Sequence, residues 1–477
     1  MKAARACRLH FLRDRLAGFG PSIGAGAMRV TGSGLRFGAA LAAALFLGCV
    51  TLQAAPLPAD GQAGPFSIAP PGTLQLFPEL KLPGQNGVAE EQRVSLKTAI
   101  AALARGDFDN ATKMFQALHN AFPNAVAPYI GLAEVKARKG QFDAADALIG
   151  SGIAALPNSA ELYRARARLY AGKGLEEGAI KAYEKAITLQ PDNEPGRLEF
   201  ADYLAQRSSD PGKALPIYRS AIARAPENGA AYYGLGFALS RLKRNTDAIA
   251  ALDKAQKLAP HNPLPALAEA KLYLQQNDST KAMAAFDRAL RIRPDFVEAR
   301  IGRAGLMLSL GRYRNALKDY DAALTAAPKS LDALLGKGMA HQALGQDGDA
   351  IATYRKVIAI APNSPLALNN LAWLSAGRKA DLDEALTWAT RATTLAPKQA
   401  DFRDTLGWVR YQRGELKEAE AAFKQAIALR PSAGSYTHLG MVYGDIGQKT
   451  DAAASFQKAL KLNPKYKPAQ QKLQALN

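Results

Sequence analysis

Cysteine is almost missing from this sequence. Cys7 and Cys49 are its only thiols, both near the N-terminus of 477 residues, so the body beyond them can build neither a disulfide framework nor a thiolate metal site. A thiol-free body suits an oxidising compartment. Aromatic residues are sparse at 8%, and together with abundant alanine this favours closely packed helices over sheets. Dense Lys/Arg runs are absent despite a formal net charge of +19. Residues 1 to 55 supply +6 of it, from seven basic residues against Asp14, and the remaining +13 is interleaved with acidic residues. That pattern argues against a nucleic-acid interface. It reads as a solvated basic surface with at most weak attraction to anionic polymers or membranes.

Long apolar runs are also missing, with one exception. Phe37 to Val50 follows Arg29 and Arg36 and precedes the small residues Ala54 and Ala55, the layout of a secretory signal. At ~1.5 Å per residue its 14 residues are too short for a helix across a bilayer core of about 30 Å. Met28 starts a segment of ordinary signal length. Cleavage after Ala54 competes with a lipoprotein-type cleavage that would leave Cys49 as a lipidated first residue, although Phe46 and Leu47 fit that motif poorly. Residues 1–54 are therefore expected to be a signal peptide. Residues 55–91, rich in proline and glycine without sustained periodicity, are expected to be an extended linker.

From there the chain is periodic. Proline recurs eleven times from Pro123 to Pro464 at steps of 33 to 35 residues, and alanine stands twelve residues before every one, from Ala111 to Ala452. Four residues after that alanine is usually a large apolar residue, such as Phe115, Tyr183, Tyr320 or Phe423, with Ala389 the exception. Another alanine usually follows three residues later. This spacing puts small residues and a ring on one helical face, and the proline ends the helix. A second apolar stripe lies upstream in each unit, with Leu-Gly pairs such as Leu235-Gly236 and Leu406-Gly407. Most of these stripes end near a glycine, as at Gly106, Gly140 and Gly311, suited to a left-handed helix exit. Each unit is a helical hairpin.

Period, Leu-Gly pair, turn glycine, alanine, aromatic and terminal proline together resemble the tetratricopeptide repeat family. The resemblance implies an all-α, right-handed superhelical solenoid of about eleven helix-turn-helix hairpins over residues 92–464. Residues 465–477 would form a capping helix with one apolar face. Three departures affect loop shape: extra residues near Ser208-Ser209 and near Arg378-Lys379, and no turn glycine near Lys243 and Asn277.

No segment is left over for a catalytic domain, and the polar residues suggest no active site. His341 falls in a column held elsewhere by Tyr170 and Tyr443 and is expected to be packed. His438 has no evident partner at metal-ligand spacing. Glu176-Glu177 sit at a helix start, where carboxylates favour the dipole. No metal or cofactor is implied.

The expected function is a non-enzymatic scaffold of the bacterial cell envelope, binding a protein or peptide in its concave groove. Two other readings stand beside it: a carbohydrate-binding part of an exopolysaccharide export system and, if the signal is misread, a cytoplasmic cochaperone. Residues 367–423 also resemble periplasmic tetratricopeptide proteins of exopolysaccharide and exosortase systems. In the family the first helix of each hairpin lines the groove. The alanine ladder then places Asn369, Trp373, Asp404, Trp408, Tyr411, Thr437 and Met441 there, with both indoles displayed and Asn369 and Asp404 free to fix hydrogen bonds. The competing expectation is that the two tryptophans pack between helices. Tyr233 with Phe237 is a weaker candidate.

Overall fold

The computed structural model describes residues 90–476. The expected signal peptide, Cys49 and nearly all of the linker lie outside them. The described residues form eleven helical hairpins and a final helix, with no strand. They divide between Leu272 and Tyr273 into two compact units.

In the first unit, hairpins 1 to 5 have first helices Glu90–Ala104, Val126–Arg138, Ala160–Lys173, Glu194–Arg207 and Gly229–Arg241. Their second helices are Phe108–Ala121, Phe142–Ala155, Glu176–Leu189, Ala214–Arg224 and Asn245–Leu258. The helix Leu264–Gln275 spans the boundary, and Ser279–Ile292 follows it in the sequence. In the second unit, hairpins 7 to 11 have first helices Val297–Ser309, Leu331–Ala343, Pro365–Arg378, Ala400–Gln412 and Ala433–Asp445. Their partners are Tyr313–Ala326, Asp347–Ile360, Leu382–Leu395, Leu416–Leu429 and Lys449–Leu462. The capping helix is Lys467–Gln474, whose Ala469 is buried with Tyr466 against hairpin 11.

The repeat columns explain the packing. The ladder alanines are fully buried and the rings four residues on, including Phe115, Tyr320 and Phe423, are almost completely so. Burying each such ring is worth roughly 1.5–3 kcal/mol. Two glycine positions in the first helices make room for them. A Cβ at Gly234 or Gly336 would lie 2.4 or 2.2 Å from the ring of the preceding hairpin, Tyr218 or Tyr320. A Cβ at Gly407 or Gly440 would lie 2.7 or 2.6 Å from the ring of its own hairpin, Phe423 or Phe456. The ring missing at Ala389 is replaced from the preceding position, because Trp388 packs against two neighbouring apolar clusters.

The departures have local remedies. Lys243 and Asn277 take the left-handed conformation that glycine takes elsewhere, with φ of 59° and 60°, and the turn keeps its form at a cost to each side chain. The extra residue at hairpin 9 brings Lys379 and Asp381 to φ of 53° and 50°. At hairpin 4 the extra residue makes a short 3-10 turn, Pro211–Lys213. Glu176 anchors that loop, accepting from Ser208 Oγ at 2.7 Å and from the Ser209 amide at 2.9 Å, and these bonds hold its carboxyl below the usual range. His341 is half-buried in a last helical turn, its ring bonded to Gln346 at 2.8 Å.

Candidate functional site

The first helices of hairpins 9, 10 and 11 bring most of the expected site residues together. Trp373 and Trp408, on adjacent first helices, have ring centroids 5.6 Å apart at an interplanar angle of 33°. Tyr411, one turn after Trp408, stacks on it at 5.5 Å and 20°. Three of the four aromatic and thioether side chains expected in this row, Trp373, Trp408 and Tyr411, thus form a continuous slab, while Met441 is half-buried on the next helix. The indoles are neither wholly core nor wholly displayed. Each is half-buried, with its inner side against the apolar clusters beneath.

His438 completes the slab. Its ring lies 5.1 Å from Trp408, 6.0 Å from Trp373 and 5.3 Å from Phe423. Nδ1 stands 3.1 Å from both carboxylate oxygens of Asp404, and because an ionised carboxylate only accepts, Nδ1 is the donor. This corrects the expectation for Asp404, whose carboxylate is buried and engaged by the imidazole. His438 stands in the column where Gly234, Gly302 and Gly336 face a preceding ring, so an imidazole replaces a glycine above Phe423. That substitution in the column was the available sequence signal.

The floor is polar. Asn369 is 2% exposed and begins a directed chain of hydrogen bonds. Its Nδ2 donates to Asn370 Oδ1 at 3.1 Å, Asn370 Nδ2 donates to Tyr354 Oη at 3.1 Å, and Tyr354 Oη donates to Gln342 Oε1 at 3.2 Å. Asn369 Oδ1, on the residue that begins the chain, has no hydrogen-bond partner, nor does the indole Nε1 of Trp408. Buried polar atoms are seldom left so. Thr437 is buried and turned inward, its hydroxyl donating to the Ala433 carbonyl at 2.7 Å. The Tyr411 hydroxyl donates to Asp445 at 2.5 Å, and burial with that carboxylate raises it above the ordinary phenol range.

Tyr233 and Phe237, on the first helix of hairpin 5, are half-buried against the core of the first unit. Burial, aided by the charge of Asp202, pushes the Tyr233 hydroxyl up to about 12. Asp202 itself is buried, accepts from Tyr218 Oη at 2.5 Å, and is pushed by burial to about 8. Among the described residues no group of His, Cys, Asp and Glu could hold a metal ion, and no helix is long and apolar enough to cross a membrane.

Known proteins resemble this chain at the level of its repeats. A probable UDP-N-acetylglucosamine–peptide N-acetylglucosaminyltransferase, SPINDLY, of Petunia hybrida is 51% identical over 49 residues, 10% of this chain and 5% of that protein. A TPR repeat-containing protein of Pseudomonas aeruginosa is 33% identical over 75 residues, 16% of this chain and 13% of that one. The chain thus spans only a small part of the length of these relatives. Among solved structures, the APC/C hetero-tetramer Cut9-Hcn1 matches with a TM-score of 0.42 at 16% identity, covering 81% of this chain and 97% of that one. YrrB, described as a TPR protein with an unusual peptide-binding site, matches with a TM-score of 0.34 at 23% identity, covering 38% of this chain and 93% of that one. Tetratricopeptide repeat models match residues 102–169 and 160–193. A further one matches 203–263 and overlapping segments from 267 to 467, more than half of the sequence. With its hairpins, ladder and ring-to-glycine packing, the chain belongs to the tetratricopeptide repeat family, whose repeats make scaffolds for protein–protein interaction.

Proposed function

We propose that this protein is a non-enzymatic scaffold of the bacterial cell envelope that holds a peptide segment of a partner protein against the first helices of hairpins 9 to 11. The observation that carries the reading is the slab of Trp373, Trp408, Tyr411 and His438 with an unpartnered polar atom in it, Trp408 Nε1, and another on neighbouring Asn369, Oδ1. Rings that are already ordered lose little freedom on binding and suit an apolar side chain. The unpartnered acceptor of Asn369 and donor of Trp408 suit a ligand with both kinds of group. Three rings within 5.6 Å of Trp408 favour a side chain wedged at ring edges over a sugar stacked on a free face.

Placement in the envelope rests on the apolar stretch Phe37 to Val50 and the small residues after it. Cell fractionation and mass spectrometry of the mature N-terminus test it, with Ala55 or a lipidated Cys49 as the expected first residue. For the groove, a photo-crosslinking amino acid at Met441 should capture a protein in intact envelopes. Trp373→Ala with Trp408→Ala should abolish capture. Capture that survives the double substitution while only thermal stability falls would make the rings core and the site wrong.

A further inference from the structure

The basic excess that is interleaved along the sequence is sorted in space. In each hairpin the turn between the two helices lies at one edge, and the loop to the next hairpin lies at the other. Along hairpins 8 to 11 the inter-hairpin edge comprises residues 357–368, 392–403, 426–437 and 459–470, including the step to the capping helix. These segments hold six basic residues and one acidic one, Asp401, which is bonded to Arg430 at 2.6 Å. The turn edge of the same hairpins, residues 340–352, 375–387, 409–421 and 442–454, holds ten acidic and six basic residues. Helix dipoles do not explain the contrast, because each edge carries one helix N-terminus and one C-terminus per hairpin.

The basic edge is also the apolar one. Ile360, Leu395, Leu429 and Leu462 each stand two residues before the repeat proline, and they are 40 to 51% exposed. They form one row over four consecutive hairpins. Exposed Lys398, Lys461, Lys465 and Lys467 accompany them. In hairpins 1 to 4 the same position holds Ala121, Ala155, Leu189 and Arg224. There the corresponding loops, 118–129, 152–163, 186–197 and 221–232, carry four acidic residues against two basic ones. At the position before the proline, hairpins 5 to 7 hold Leu258, Ile292 and Ala326, and Leu189, Leu258 and Ile292 are only half-exposed, so the exposed apolar row belongs to hairpins 8 to 11.

We propose that the inter-hairpin edge of hairpins 8 to 11 docks on the surface of an anionic lipid bilayer. Lysines draw the edge to the headgroups, and the row from Ile360 to Leu462 enters the boundary between headgroups and acyl chains, as the apolar face of an interfacial helix does. A soluble acidic polymer would use the charges and leave the apolar row in water. This contact is independent of the groove and adds a second attachment to the membrane beyond the lipid anchor considered at Cys49.

The test uses the full chain with Cys7→Ser and Cys49→Ser, carrying an environment-sensitive nitrobenzoxadiazole dye at Leu462→Cys. A second chain carries the dye at Leu395→Cys, and a control carries it at Ile446→Cys on the turn edge, where exposure is similar at 41%. Phosphatidylglycerol-containing vesicles should shift the emission of the dyes at 462 and 395 to the blue and leave that at 446 unchanged. High salt should reverse the shift. Lys461→Glu with Lys465→Glu and Lys467→Glu should weaken vesicle binding by about tenfold or more, with far-UV circular dichroism unchanged. Shifts at every position or at none, an equal shift on pure phosphatidylcholine, or indifference to the charge reversal would overturn the proposal. A shift that soluble polyphosphate reproduces without vesicles would identify an acidic polymer and overturn it as well.

Discussion

Hairpins 3 to 5 and hairpins 9 to 11 are built on the same columns of alanine, ring and proline, yet their first helices do different chemistry. In the earlier region polar side chains find opposite charges. Arg168 clasps Glu199 at 2.6 and 2.5 Å, Arg166 clasps Asp146 at 2.8 and 3.1 Å, and Tyr183 donates to Glu199 at 3.0 Å. In the later region the corresponding helices carry amides and rings, and Asn369 Oδ1 and Trp408 Nε1 are among the buried polar atoms without partners. The difference shows that the repeat columns determine the hairpin, while the positions between them decide what its surface can hold. An ionic face that is largely paired, with Arg164 Nε the atom left over on these first helices, has less to offer a ligand. A face of rings and unpaired amides has more.

The strongest test of that division is to attack the shared columns in both regions. Gly236→Val and Gly407→Val should each lose about 3 kcal/mol or more in urea unfolding, since a Cβ would meet the Leu252 side chain or the Phe423 ring at 2.8 or 2.7 Å. If one is tolerated, the columns are not equivalent and the comparison fails. The next effect is confined to the earlier region. Burial keeps the Asp202 carboxyl protonated up to about pH 8, against an ordinary value of 3.8. Between these limits the folded chain binds a proton that the unfolded chain has released, so stability should fall as pH rises through this window and level off above it. The loss should reach ~2 kcal/mol or more. Asp202→Asn should flatten the dependence, measured by urea unfolding at about pH 5 and about pH 8.

Smaller effects sharpen the same contrast. Lys243 holds a left-handed turn at φ 59°, so Lys243→Gly should stabilise by about 1 kcal/mol, whereas Gly311→Lys at the equivalent turn should cost about as much. A thermal melt of each variant checks the sign. Last comes the exposed ion pair Lys139–Asp109, at 2.9 Å. Lys139→Ala should change stability by less than about 0.5 kcal/mol, and a larger loss would mean that surface charge holds the earlier hairpins together.

The hairpins themselves were plain in the sequence because their determinants are short-range. An alanine, a ring four residues on and a proline eight residues later lie on one helix and repeat in phase. The same logic located the irregular turns at Ser208-Ser209 and Arg378-Lys379. It did not show that Lys243 and Asn277 would keep the glycine geometry, since that outcome depends on the surrounding turn overruling a side-chain preference. The groove was legible as a set of positions and not as a set of partners. Asp404 and His438 are 34 residues apart; His438 interrupts a glycine column, Asp404 stands where no residue recurs, and their bond depends on side-chain reach between adjacent hairpins. The chain from Asn369 to Gln342 runs through Tyr354, whose ring belongs to the repeat column while its hydroxyl does not.

The tryptophans have an optical consequence. The chain has three of them, and Trp373, Trp388 and Trp408 all lie in hairpins 9 and 10. Intrinsic fluorescence therefore reports on one stretch of a much longer helical array, whereas circular dichroism at the peptide wavelengths averages over every hairpin. The Trp373–Trp408 pair, at 5.6 Å, is close enough for its indole transitions to couple and give a circular dichroism couplet of its own. Following all three signals through one thermal melt measures how far cooperativity extends along the repeats. Coincident curves mean that the hairpins unfold together, and an early loss of the couplet and fluorescence means that the ligand-bearing end opens first.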